Sequence, residues 1–101
     1  MPEDTILVVD DEIANLQKLY RTFVNRYRVL SANSGREALD LAQKNADISV
    51  IIADQRMPDM TGVDFLQRTL DLLPYAVRII LTGFTDAEVL MEAINSCKVY
   101  R

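Results

Sequence analysis

The sequence predicts an α/β fold, a single open parallel sheet with helices on both faces. Three observations carry this. Apolar runs of strand length (Thr5–Asp10, Ile48–Ala53, Val77–Leu81) alternate with segments whose apolar residues recur at three- and four-residue steps. The runs are apolar almost throughout rather than at every second position, which marks strands covered on both faces by crossover helices. Capping and turn residues separate the two kinds of segment.

In chain order, Thr5–Asp10 reads as a strand buried on both faces. A helix follows from Glu12 to about Tyr27, with Ile13, Leu16, Tyr20, Phe23, Val24 and Tyr27 inward. Arg28–Ala32 is shorter, and Arg28 and Ser31 interrupt Val29 and Leu30, which suits an edge strand. Ser34-Gly35-Arg36-Glu37 is a capping box, so a second helix runs from Gly35 to about Asn45 with Ala38, Leu39 and Ala42 inward. Ile48–Ala53 is the second fully buried strand. Gln55–Thr61 is a loop, because Pro58 lacks the backbone donor that a strand or helix interior needs.

Thr61-Gly62-Val63-Asp64 opens a third helix with Val63, Leu66, Leu70 and Leu73 on one stripe, ended by Pro74. Val77–Leu81 is a strand that stops at Thr82-Gly83. Thr85-Asp86-Ala87-Glu88 is a further capping box, opening a helix with Ala87, Leu90, Met91 and Ile94 inward. Lys98–Arg101 reads as the start of a fifth strand. The resulting order, β-α-β-α-β-α-β-α-(β), describes one domain over residues 1–101 that is cut short at its end.

Composition narrows the function. The chain has 101 residues, a net charge of −4 and no histidine. A mildly acidic surface has little attraction for a phosphate backbone, which argues against direct nucleic-acid binding. No apolar run approaches the ~18 residues of a membrane span. The acidic N-terminus, Met1-Pro2-Glu3-Asp4, is unlike a secretory signal, and the lone Cys97 forms no internal disulfide; both fit the cytoplasm. Without histidine there is no Ser-His or Cys-His pair for nucleophilic catalysis.

The chemistry lies in the carboxylates. Two buried runs end in acid: Ile6-Leu7-Val8-Val9-Asp10-Asp11 and Val50-Ile51-Ile52-Ala53-Asp54. If these strands are neighbours, three aspartates gather at the carboxyl edge of the sheet, where open α/β folds keep their ligands. Such a cluster is relieved by protonation or by a hard divalent cation, and an all-oxygen site suits Mg²⁺. A carboxylate beside a metal is also a potential phosphoryl acceptor. Thr82, ending the next strand, offers a hydroxyl donor for a phosphoryl oxygen. Each residue has a plainer reading: Asp10 and Asp11 as acids at a helix N-terminus, Asp54 as an Asx-turn residue, Thr82-Gly83 as turn chemistry.

Taken together, Val8-Val9-Asp10-Asp11-Glu12, Asp54-Gln55-Arg56-Met57-Pro58-Asp59-Met60-Thr61-Gly62 and Leu81-Thr82-Gly83 resemble the receiver domain of two-component response regulators, over nearly the whole chain. The resemblance implies a flavodoxin-like sheet of strand order 2-1-3-4-5. It implies that Asp54 accepts a phosphoryl group from the phosphohistidine of a histidine kinase or a phosphotransfer protein. Asp11 and Asp54 would bind Mg²⁺ directly, Asp10 through a water, and Arg56 through its main-chain carbonyl. Thr82 would hydrogen-bond the phosphoryl group and carry the switch, and Gly83 would leave the phosphate open to water. A phosphoacceptor of this kind is not an enzyme, beyond self-phosphorylation from small phosphodonors and self-dephosphorylation. Phosphorylation would act on the surface around the fourth helix, and through it on an output domain, enzymatic in some receivers and DNA-binding in others.

The departures come at the end. The family's Lys-Pro and switch aromatic would fall beyond Arg101; neither Lys98 nor Tyr100 matches them, and the last helix is missing. That leaves the Val77–Leu81 edge and the apolar face of the first helix under-covered, surfaces that invite self-association. Two other functions fit less well. An Asp-based Mg-dependent phosphohydrolase usually carries an acid two residues after its nucleophile, where Arg56 stands. A flavin-phosphate module needs a Ser/Thr/Gly-rich loop after the first strand, where Asp11-Glu12 stands.

Overall fold

The computed structural model describes residues 4–81. The expected fourth helix, the start of a fifth strand, Thr82 and Gly83 lie outside the described residues. Within them the elements are β1 (Thr5–Val9), α1 (Ile13–Phe23), β2 (Arg28–Ala32), α2 (Gly35–Lys44), β3 (Ile48–Asp54), α3 (Gly62–Thr69) and β4 (Val77–Leu81). All pairings are parallel and the order is β2-β1-β3-β4, which puts the polar β2 at an edge.

Alternation along the strands builds two cores. Leu7, Val9, Ile51, Ala53 and Ile80 face one way, onto Ala38 and Ala42 of α2 and Phe65 and Leu66 of α3. Ile6, Val8 and Ile52 face the other way, onto Leu16 of α1, with Leu19, Phe23, Tyr27 and Val29 packed around them. Period-two alternation thus survives inside runs that are apolar throughout, because both sides are covered.

The pairing of β1 with β3 contains one irregularity: Thr5 pairs with Ile48 but Ile6 pairs with Val50, so Ser49 is skipped. From there the register runs unbroken to Val9–Ala53. Since a one-residue slip sends every side chain to the opposite face, the skip decides which residues of β3 face which core. Nearby, Asp47 accepts from the Thr5 hydroxyl at 2.8 Å and pairs with Arg28 at 3.2 Å, joining three strand starts.

Two helix expectations need correction. The first helix ends at Phe23, not near Tyr27: the Arg26 and Tyr27 N–H groups both donate to the Phe23 carbonyl, turning the chain so that the Arg28 N–H reaches the Asp4 carbonyl. Tyr27 keeps its inward role, its ring edge-on to Phe23 at 6.1 Å. The inward stripe is Leu16, Leu19 and Phe23. Ile13 and Tyr20, expected inward, are 55% and 44% exposed, and Val24 is exposed too. The apolar arc of α1 is wider than the sheet beneath it. Residues 13, 20 and 24 occupy its outer flank.

Of the expected stripe, Leu66 and Leu73 are buried, Val63 packs on the core and Leu70 is half-buried; the helix itself, with Gly62, Phe65, Leu66 and Thr69 buried, likewise stops at Thr69, well before Pro74. The cause is Arg78, a fully buried arginine in β4. Its guanidinium donates to the Thr69 hydroxyl (3.1 Å), the Thr69 carbonyl (3.0 Å), the Ala76 carbonyl (2.7 Å) and the Leu73 carbonyl. It thereby adds a second donor to the Thr69 and Leu73 carbonyls, which also accept from the Leu73 and Ala76 N–H groups, and gathers them with the Ala76 carbonyl around one charge, so the chain turns early. Replacing Arg78 with methionine removes these charge-assisted hydrogen bonds from a buried turn, so we expect a loss of roughly 2–4 kcal/mol in urea unfolding with m unchanged. A variant as stable as the parent would contradict this role.

Candidate functional site

The site is assembled at the carboxyl edge of the two central strands. Asp54 is the last residue of β3 and Asp10 follows the last residue of β1, so each lies one step beyond the Val9–Ala53 pair. Parallel partners share a face, so both carboxylates emerge on the α1 side of the sheet. Asp11 begins the loop to α1. One carboxylate oxygen from each of Asp10, Asp11 and Asp54 lies within 4.8 Å of the others. The three acids that the sequence singles out do converge.

Burial differs across the set. Asp10 is 3% exposed, Asp54 is half-buried and Asp11 is open to solvent. The plainer local roles are realised as well: Asp10 accepts from the Glu12 N–H at 2.9 Å and Asp54 from the Arg56 N–H at 3.2 Å, both Asx-turn bonds. These bonds orient the carboxylates rather than compete with the cluster. Burial pushes the Asp54 carboxyl above its usual range and the Asp10 charge pushes it further; the Arg56 N–H pulls it down, Asp11 adds a smaller upward push, and Gln55 a smaller pull.

The loop after β3 is closely held. The Gly62 N–H donates to the Gln55 carbonyl at 3.0 Å and the Val63 N–H to the Gln55 side chain at 3.1 Å. A Cβ on Gly62 would lie 2.4 Å from the Asp54 carbonyl oxygen, a backbone atom that cannot yield, so only glycine fits here. Thr61 caps α3 by accepting from the Asp64 N–H at 3.0 Å. Beside the loop, Ser34 caps α2 by accepting from the Glu37 N–H, while the Glu37 carboxylate reaches back to the Asn33 N–H. This is the expected capping box with its return bond set one residue earlier. Arg56 has an exposed side chain.

The third strand ends level with the fourth: Asp54 pairs with Leu81, and the Gln55 N–H donates to the Leu81 carbonyl at 3.2 Å. Thr82 is therefore the next residue after the one paired with Asp54. Its side chain and Gly83 lie outside the described residues.

A family model for the response regulator receiver domain matches residues 6–98. The chain belongs to the response regulator receiver family. Among curated proteins, this receiver domain is 41% identical over 97 residues to the hydrogenase transcriptional regulatory protein HoxA of Cupriavidus necator, covering 96% of this chain and 20% of the relative. The chain thus spans about a fifth of that relative's length. Among solved structures, the receiver domain resembles an adenylate cyclase from Rhodopirellula baltica, with a TM-score of 0.92 and 37% identity over 98% of this chain and 73% of the other. A response regulator receiver domain protein from Clostridium thermocellum superposes with a TM-score of 0.84 at 34% identity, covering 91% of this chain and 75% of the other. The fold is flavodoxin-like, as expected for the family.

The raised carboxyl of Asp54 has a consequence for stability. The folded receiver domain holds the Asp54 proton more tightly than the unfolded chain, whose carboxyl titrates near 3.8. Between that value and the raised folded value the folded state binds more protons, so this contribution to stability falls as pH rises through the window. At pH 7 the charged Asp54 therefore carries its full cost. Asp54→Asn keeps an oxygen to accept from the Arg56 N–H and removes the charge. It should melt higher than the parent at pH 7 without metal, with the gain shrinking toward pH 4. Equal melting temperatures at pH 7 would count against a net cost of holding the Asp54 charge half-buried beside Asp10.

Proposed function

We propose that this receiver domain is the phosphoacceptor module of a two-component system, with Asp54 taking a phosphoryl group from the phosphohistidine of a histidine kinase or a phosphotransfer protein. The observation that carries the reading is the convergence of Asp10, Asp11 and Asp54 at the carboxyl edge of β1 and β3. The transfer is a displacement at phosphorus. A lone pair of the Asp54 carboxylate forms the new O–P bond, the P–N bond breaks, and its electrons leave with the imidazole. The product is an acyl phosphate.

The chain's residues contribute orientation and charge. The Arg56 N–H holds one oxygen of Asp54 and so fixes the rotation of the carboxylate. Val8 and Ile52, paired and buried two residues before Asp10 and Asp54 on the same face of the sheet, form the apolar base of the site. The donor set fits a hard cation: three carboxylates, no nitrogen or sulfur, with Asp54 burdened by its neighbours' charge. Asp11 and Asp54 would hold Mg²⁺ directly, Asp10 through a water, and Arg56 through its main-chain carbonyl. When bound, the ion offsets the carboxylates' repulsion and the negative charge on the phosphoryl oxygens.

Thr82 is assigned the hydrogen bond to the phosphoryl group and the switch, on the family's pattern and its place one residue past Leu81. Gly83 is assigned the open path for attacking water. Phosphorylation replaces the single carboxylate charge of Asp54 with a phosphoryl group that carries roughly −1.5 to −2 at the strand edge, and the surface around the fourth helix would respond to it. An output domain is the downstream partner. The relatives' names, a transcriptional regulator in one case and an adenylate cyclase in another, set different outputs beside one module, so the proposal stays with the phosphoacceptor step.

Incubation with acetyl phosphate and Mg²⁺ followed by intact mass measurement tests the assignment. One phosphoryl group should be gained by the parent chain and none by Asp54→Ala, and chelation of Mg²⁺ should abolish labelling. A phosphoryl group retained on Asp54→Ala would refute the nucleophile, and continuous release of phosphate from many phosphomonoesters would favour a phosphohydrolase.

A further inference from the structure

Asp59 sits in the middle of the loop after the phosphoacceptor, and the reaction proposed above gives it no role. Its side chain nevertheless reaches back 24 residues along the chain to the start of a helix. Asp59 Oδ1 accepts from the Gly35 N–H at 3.1 Å and Oδ2 from the Arg36 N–H at 2.9 Å. These are the first two residues of α2, whose open N–H groups and dipole favour an anion. Ser34 already serves a different donor, Glu37. A loop that follows β3 is thus moored to a helix that precedes it.

Packing supports the same mooring. The Met60 side chain lies directly on Gly35, where an added Cβ would fall 2.4 Å from Met60 Cγ. At the other end, Gln55 holds the loop to Gly62 and Val63 through its carbonyl and side chain. Between the two anchors runs Arg56-Met57-Pro58, with the Arg56 N–H on Asp54. Pro58 has no N–H to add a backbone restraint.

We propose that Asp59 is a positioning residue for the metal site: by mooring residues 55–61 to the start of α2, it holds the Arg56 main-chain carbonyl beside Asp10, Asp11 and Asp54. The ligand role of that carbonyl rests on the proposed function above; the mooring itself does not. Partners that orient metal ligands from outside the coordination sphere typically contribute 10–100-fold in affinity. An exposed anchor acting three residues away falls at the lower end, roughly 10-fold.

The competing explanation is that Asp59 is only a cap for α2, and Ser34→Ala separates the two. It weakens the same helix end without touching the loop. Mg²⁺ binding by calorimetry and backbone ¹⁵N order parameters of Arg56 and Met57 in metal-free protein should be measured for the intact chain, Asp59→Ala, Asp59→Asn and Ser34→Ala. We expect Asp59→Ala to bind Mg²⁺ roughly 10-fold more weakly and to lower the order parameters at Arg56 and Met57. Asp59→Asn, which keeps one acceptor, should fall between, and folds if the alanine variant does not. Ser34→Ala should lower the melting temperature while leaving affinity and order at Arg56 unchanged. Unchanged affinity and order in both Asp59 variants, or equal losses in Ser34→Ala, overturn the proposal. A parent chain that binds no Mg²⁺ overturns the metal reading instead, and the metal-free order parameters still decide whether Asp59 moors the loop.

Discussion

The register of β1 against β3 is the constraint on which the site depends. Had the pairing continued from Thr5–Ile48 without the skip at Ser49, Asp10 would lie opposite Ala53, and the side chains of β3 would face the wrong cores. With the skip, the two central strands end together and their terminal acids stand side by side. Both cores enforce this choice. Ile51 and Ala53 are fully buried on the α2–α3 side and Ile52 is buried on the α1 side. Slipping β3 by one residue would drive each of them to the opposite face, at roughly 1.5–3 kcal/mol per large side chain moved out of its contacts. The placement of the carboxylates is therefore a by-product of hydrophobic packing.

That packing has to overcome an unfavourable charge arrangement. The buried Asp10 next to the half-buried Asp54, with Asp11 close by, works against folding. Local N–H groups offset only part of this, since Asp54 retains a raised carboxyl despite its bonds from Arg56 and Gln55. The cost is tolerable because strand pairing and two buried cores hold the edge from both faces.

Much of this was legible in the sequence, for identifiable reasons. Element order as far as β4, edge placement of β2, the Ser34–Glu37 capping box and the three acids followed from signals that are local in the chain. Helix ends and inward faces were less legible because they are decided by distant partners. The early end of α3 depends on Arg78, nine residues beyond Thr69, and hydropathy alone gives no reason to bury an arginine in a strand. The exposure of Ile13 and Tyr20 depends on how much of α1 the sheet covers, which apolar spacing does not encode. The Ser49 skip left no mark beyond a polar residue near the start of an apolar run. Thr82 and Gly83 were read from their company in the sequence and lie outside the described residues.

The loop after Asp54 shows how a site can be local in sequence and non-local in its support. Every residue assigned to the cation there belongs to a strand end or the turn next to it, so short-range rules identify them. Their relative positions are fixed elsewhere, by Gly62 pressed on the Asp54 carbonyl, by Gln55 closing the loop, and by the start of α2 receiving Asp59 and Met60. A phosphoacceptor must stay rigid enough to align with an incoming phosphorus and yet pass the consequence of its own modification outward. Anchoring the loop to α2 on one side while the Gln55 N–H donates to the Leu81 carbonyl on the other meets both needs. The α2 side is fixed by packing and by the Gly35 and Arg36 N–H groups that hold Asp59, so on the proposed function a change at Asp54 would pass toward the β4 side, where the Gln55 N–H meets the Leu81 carbonyl.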